Sequence, residues 1–158
     1  MIQPYSTMKD QTLERRLRDI VKSDPRFAQP AYEFLSDALE YAMARYGKQE
    51  KRGHVSGEDL LHGYCEYALK QFGPMASTVI KEWGIHSGFN VGEMVYNMID
   101  AGIFGQEGDD SLSDFRGVLD LISTLEAPYQ MNEPVEEEPE PSPKKKTSGK
   151  KTKKDNHE

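Results

Sequence analysis

The chain has 158 residues, 36% apolar and 30% charged, with a formal net charge of −7 and a single cysteine. That length fits one domain plus an extension, and the composition is that of a soluble globular protein with a polar excess. Cys65 alone excludes an intramolecular disulfide, MIQPYSTMKD is no signal peptide, and no apolar run approaches the roughly 18 residues of a membrane helix, so a cytoplasmic location is expected.

Residues 1–11 read as a flexible N-terminus, and a helical domain is expected over 12–128. The first helix spans about 12–22, with Leu13, Leu17, Ile20 and Val21 at helical spacing and Arg15, Arg16 and Arg18 facing out. Ser23-Asp24-Pro25 ends it. The second, about 30–46, carries Phe34, Leu35, Ala38, Leu39, Ala42 and Tyr46 and stops at Gly47. KQEKRGH is a loop, and His54-Val55 is a candidate short strand. Ser56 caps a third helix that turns Leu60, Leu61, Tyr64, Cys65, Ala68 and Phe72 inward and ends at Gly73.

Met75 to Phe104 reads as helix, tight turn, helix. Met75, Val79, Ile80 and Trp83 share one side of the fourth helix, Pro74 suits its first turn and Gly84 its end, with Trp83 a buried anchor under the turn. Asn90 is the expected cap of the fifth helix, with Glu93 three residues on, and Gly102 is its stop. Val91, Met94, Val95, Met98, Ile99 and Ala101 form its core arc, and Gly92, Glu93, Tyr96, Asn97 and Asp100 the outward arc. Beyond Gly102, two readings compete: a hairpin of 103–106 with 115–121, or a terminal helix through Phe115, Val118, Leu119 and Ile122. Periodicity favours the helix. The hairpin is preferred because it would complete a winged-helix layout.

From Tyr129 the chain has almost no large apolar side chains, and its charge is segregated, so 129–158 reads as a disordered tail. Its seven Lys balance seven Asp plus Glu, and the net charge resides in 1–128, where 13 Lys plus Arg face 20 Asp plus Glu. The fold class is therefore mainly α: a five-helix single domain, winged-helix-like with a small C-terminal β-hairpin, followed by that tail.

Over about residues 15–120 the chain resembles a family of uncharacterised bacterial proteins found mainly in Verrucomicrobia and Planctomycetes. The matching pieces are DPRF at 24–27, AYEFLSDALEYA at 31–42, HVSGEDLLHG at 54–63, ALKQFGPMASTVIKEWGI at 68–85 and GEMVYNMIDAG at 92–102. Locally, the Met75–Phe104 pattern also resembles a winged helix-turn-helix. The family resemblance implies a helical domain and transfers no catalytic residues.

Candidate chemistry is sparse. His62, Cys65 and Glu66 fall within one turn, but Cys65 faces the predicted core and no second Cys or paired His completes a zinc site. A thiol nucleophile there would need a nearby base and access. Glu107, Asp109, Asp110 and Asp114 lack the ordered ligand series of an EF-hand and read as a solvated turn. Gly84, Gly88 and Gly92 follow no strand and are not a phosphate loop. His54 and His86 each stand alone. No enzyme, cofactor or metal site is expected.

The outward arc of the fifth helix would read DNA in a winged helix, yet Glu93 and Asp100 are acidic and no Lys or Arg lies between Lys81 and Arg116. The expected role is a non-catalytic protein-interaction module with no membrane contact, using Glu93, Tyr96, Asn97 and Asp100 on an unidentified protein partner. The alternative is nucleic-acid or ribosome association through Lys144, Lys145, Lys146, Lys150, Lys151, Lys153 and Lys154, by counterion release without sequence preference.

Overall fold

A computed structural model describes residues 2–4, 10–47, 54–106, 108 and 110–130. The five expected helices are present as α1 (Asp10–Ser23), α2 (Gln29–Tyr46), α3 (Gly57–Phe72), α4 (Ala76–Glu82) and α5 (Gly88–Asp100), and a short α6 (Leu121–Glu126) follows. Together they make one mainly helical domain. A small antiparallel sheet pairs β1 (Ile2–Pro4) with β2 (Phe104–Gln106).

The centre of the domain is the α2–α3 pair. Gly63 faces Ala42 so closely that a Cβ on Gly63 would lie 2.6 Å from the Ala42 methyl, so only glycine allows this approach. Leu17 of α1, Tyr32, Leu35 and Leu39 of α2, Leu60, Leu61 and Tyr64 of α3, Ile80 of α4, and Val91, Val95 and Met98 of α5 fill one continuous core. Ser56 caps α3 as expected, its hydroxyl accepting from the Asp59 N–H at 3.1 Å. Tyr64 is wholly buried and its hydroxyl has no hydrogen-bond partner among the described residues. Tyr64→Phe removes that desolvated group, so we expect chemical denaturation to show neutral or improved stability, by up to about 1 kcal/mol.

Several expectations need correction. Ile2–Pro4, assigned to a flexible N-terminus, is a strand: Ile2 is opposite Gln106, Gln3 opposite Gly105 and Pro4 opposite Phe104, with Ile2 buried. Ile2 also bridges Val55, exchanging hydrogen bonds of 2.9 and 3.3 Å, so the short strand expected at His54-Val55 is a single bridge. The C-terminal hairpin does not form. Its first half is β2, but β2 takes its partner from the far N-terminus, while Leu112–Phe115 is a 3-10 turn. Among the described residues, no wing therefore follows α5. The terminal-helix reading is realised only from Leu121, beyond Phe115 and Val118.

Ahead of and along α4, Met75 is 56% exposed and Val79 is half-buried, because Gly73–Met75 winds as a 3-10 turn and shifts the phase of the stripe, while Trp83 packs against the core and is mostly buried, as expected. Phe72 is also half-buried. Trp83 sits at the end of α4, its carbonyl accepting from the Ala28 N–H at 3.1 Å and its ring against Phe34 and Phe72. Ser87, not Asn90, caps α5: its hydroxyl accepts from the Asn90 N–H at 3.2 Å, and the Asn90 side-chain Oδ1 accepts from the His86 N–H at 3.0 Å. Tyr129, assigned to the tail, closes a 3-10 turn (Ala127–Tyr129) after α6. Residues 131–158, with the seven candidate lysines, lie outside the described residues.

Candidate functional site

Asp24 and Arg26 lie in the α1–α2 loop, and Pro25 between them holds the turn. The Arg26 guanidinium donates to both Asp24 oxygens at 2.8 Å and reaches Glu93 of α5 at 2.7 Å. Asn97, one turn further along α5, donates at 3.1 Å to Asp24 Oδ2 and at 3.1 Å to the Tyr32 hydroxyl oxygen. The Asn90 amide donates to the other Glu93 oxygen at 3.1 Å. This cluster ties α5 to the α1–α2 loop. The Arg26 guanidinium, then the Asn97 amide, hold the Asp24 carboxyl down at about 2 against the opposing effect of burial. Asp24 is therefore ionised at neutral pH.

Gly84 completes the arrangement from behind. It has φ of +92°, and a Cβ there would lie 2.1 Å from the Arg26 carbonyl oxygen, so the loop can pack on the end of α4 only across a glycine. Phe27 is buried next to this contact and meets Tyr32 edge-on, at 6.5 Å between centroids. Arg26 also stacks over Phe27 at 4.9 Å.

Beside the cluster, a groove of about 400 Å³ runs between α1 and α5. Arg16, Asp19 and Ile20 line it from α1, Asp24 from the loop, and Asn97 and Asp100 from α5. Arg16, expected to face out, turns into the groove and donates to the Ala101 carbonyl at 2.9 Å, satisfying an orphan acceptor at the end of α5. Asp19 and Asp100 are exposed. No family model matches the chain, and no curated protein or solved structure matches it. What the groove can do follows from its side chains: it presents carboxylates and one guanidinium around an apolar floor at Ile20, a surface suited to polar and cationic groups of a partner.

On the outward arc of α5, Glu93, Tyr96 and Asn97 are half-buried and engaged within the domain, while Asp100 reaches solvent. Glu93 is only 18% exposed and engaged by Arg26, and Asn97 is bound to Asp24 and Tyr32. The Tyr96 hydroxyl accepts from Gln106 Nε2 at 3.1 Å, and Gln106 also donates to the Asp110 carbonyl. Burial raises the Tyr96 pKa, with Asp114 adding to it. Of the four candidates, Asp100 alone is exposed, and Asn97 and Asp100 share the groove. Gly92 is buried because the Phe115 ring lies on it: a Cβ at Gly92 would fall 2.5 Å from that ring. Asp24, Arg26 and Arg16 were missed as site residues, although DPRF, a Pro-fixed acid–base pair ahead of a buried aromatic, carried the signal.

The other candidate chemistry does not assemble. His62 is exposed, with Nε2 3.9 Å from Glu58, while Cys65 is buried and Glu66 binds Tyr41, Tyr46 and Arg45. Among the described residues no group of three or more His, Cys, Asp or Glu is placed to hold a metal. Glu107 and Asp109 lie outside the described residues; Asp114 caps the 3-10 turn, accepting from the Ser111 N–H at 2.9 Å. Burial, with a contribution from Glu66, pushes the Cys65 thiol up to about 12. At pH 8, iodoacetamide should alkylate Cys65 only after denaturation; rapid modification of the folded protein would contradict its burial.

Among the described residues, no helix is long and apolar enough to cross a membrane.

Proposed function

We propose that the domain is a non-catalytic protein-interaction module whose contact face is the α1–α5 groove. The observation that carries this reading is the concave surface between Asp19 and Asp100, backed by a hydrogen-bonded cluster that fixes both walls. A preorganised wall lowers the ordering cost of association. The partner contributes a basic or amide-rich segment, and steering by the domain's acidic surface favours encounter.

The test is co-purification of the full chain from nuclease-treated extract of its own host, beside an Asp19→Lys/Asp100→Lys variant. Both substituted side chains are exposed, so the thermal midpoint should hold while capture of a specific protein falls by about tenfold, the scale of one disrupted charged contact. Equal capture by both forms would remove the groove from the interface.

The Lys block supports the second reading, since seven Lys fall within Lys144–Lys154. With up to seven phosphates engaged on a single strand, log affinity against log salt would have a slope approaching roughly −5, made shallower by the adjacent EEEPE run. Substituting all seven Lys by Gln should abolish such binding. Unchanged oligonucleotide affinity would defeat this reading.

A further inference from the structure

The α2–α3 face carries a continuous row of aromatic rings. Tyr41 and Tyr67 are 5.6 Å apart between centroids, Tyr67 and Phe34 5.1 Å, Phe34 and Phe72 5.3 Å, and Phe72 and Trp83 5.7 Å. Phe34 is buried and the other four are partly buried, so the row is anchored in the core yet reaches solvent. Glu33, Asp37 and Glu40 stand exposed beside it at helical spacing on α2. Burial and then Asp37 and Glu40 raise the Tyr67 pKa, which places both carboxylates within electrostatic reach of that ring. The row also accepts ammonium groups: Lys70 Nζ stands 5.8 Å from the Tyr41 centroid.

We propose that this aromatic and acidic face is the docking site for the chain's own Lys-rich segment, Lys144–Lys154. Ring chemistry selects the face. Glu33, Asp37 and Glu40 have no ion pair among the described residues, as is also true of Asp19 and Asp100 in the α1–α5 groove, and each face carries one cation, Lys70 or Arg16; the α2–α3 face adds aromatic rings for ammonium groups, which the groove lining lacks. Geometry selects it too. The Tyr129 hydroxyl lies 3.7 Å from where a Cβ on Gly73 would be, so the described chain ends near Phe72, one ring in from the Trp83 end of the row.

Residues 131–143 connect Gln130 to Lys144. They reach at most about 45–50 Å, and with four Pro and five Glu among them the expected span is nearer the extended value of about 40 Å, enough to cross a domain with a radius of gyration of about 14 Å. A tether of that length gives an effective concentration on the order of millimolar, enough to populate weak cation–π and carboxylate contacts. The docked segment would be shielded from other polyanions. The inference is independent of the α1–α5 groove and its partner.

The test is zero-length carbodiimide coupling of Lys to carboxylates in dilute full-length protein, mapped by peptide mass spectrometry on the monomer band. Among couplings from Lys144–Lys154 to the domain, those to Glu33, Asp37 and Glu40 should dominate, and they should fall at least about threefold in about 0.5 M NaCl, where the screening length shrinks to a few ångströms. In a second protein, Tyr67→Ala, the same couplings should weaken while the thermal midpoint confirms a folded domain. Couplings spread evenly over exposed carboxylates, or concentrated on Asp19 and Asp100, would overturn the assignment, as would insensitivity to both salt and Tyr67→Ala.

Discussion

Phe115→Ala should lower stability by about 3–5 kcal/mol and the thermal midpoint by roughly 10–20 °C. Phe115 comes from a 3-10 turn yet is buried, because its ring fills a notch made by missing side chains. A Cβ on Gly57 would sit 3.1 Å from the ring and one on Gly92 2.5 Å from it, while a Cβ on Gly88 would lie 3.6 Å from the Phe115 carbonyl oxygen. The ring thus joins α3, α5 and the segment after β2. Gly92→Leu in the otherwise native protein forces the ring out and should destabilise by a comparable amount. Combining the two changes places a leucine side chain in the space the ring vacates, so the double variant should be more stable than the sum of the singles predicts, by about 1–3 kcal/mol. Urea denaturation of the four proteins measures this coupling. Strict additivity would mean the notch is not a shared site.

The same glycines show what the sequence made legible. Helices α1 to α5 follow from apolar spacing and from stops at Gly47 and Gly73, because those signals are local. The partner of β2 was not legible: Ile2 and Gln106 pair across almost the whole domain, and a three-residue strand has too little alternation to announce its mate. Gly92 reads as outward on a helical wheel, since a glycine carries no apolar signal, although its i+4 spacing from Gly88 marks a groove able to take a ring. Glu93 and Asn97 read as surface for a similar reason. Polar residues on one arc look alike whether water or Arg26 and Asp24 receive them, and only the tertiary approach of the α1–α2 loop separates the two cases. Asp100, with no such neighbour, stayed at the surface as its pattern implied.

Arg26→Met should cost about 2 kcal/mol at pH 7, and the deficit should shrink as the solution is acidified. Arg26 bridges two carboxylates of low exposure, Asp24 at 20% and Glu93 at 18%, while being 52% exposed itself. Removing it leaves both anions facing each other across the loop without their cation, a penalty reduced from that of a fully buried pair because water reaches the bridge. The pH dependence follows from Asp24. Its folded-state pKa lies near 2 and its ordinary value at 3.8, so its ionised form stabilises the native protein fully above about 4, and that contribution is lost as pH falls through 3.8 toward 2. In the Met variant the larger part of the depression is lost and Asn97 retains a smaller part, so wild-type and variant stabilities should converge between pH 4 and pH 2, with about 1–2 kcal/mol of the difference disappearing after allowance for the exposed partner. Denaturant titrations at pH 7, 4 and 2.5 separate this from a packing defect. Lost contact between the Arg26 side chain and Phe27 would cost the same at every pH, so a constant deficit would show that the guanidinium acts through its stacking and not through its charge.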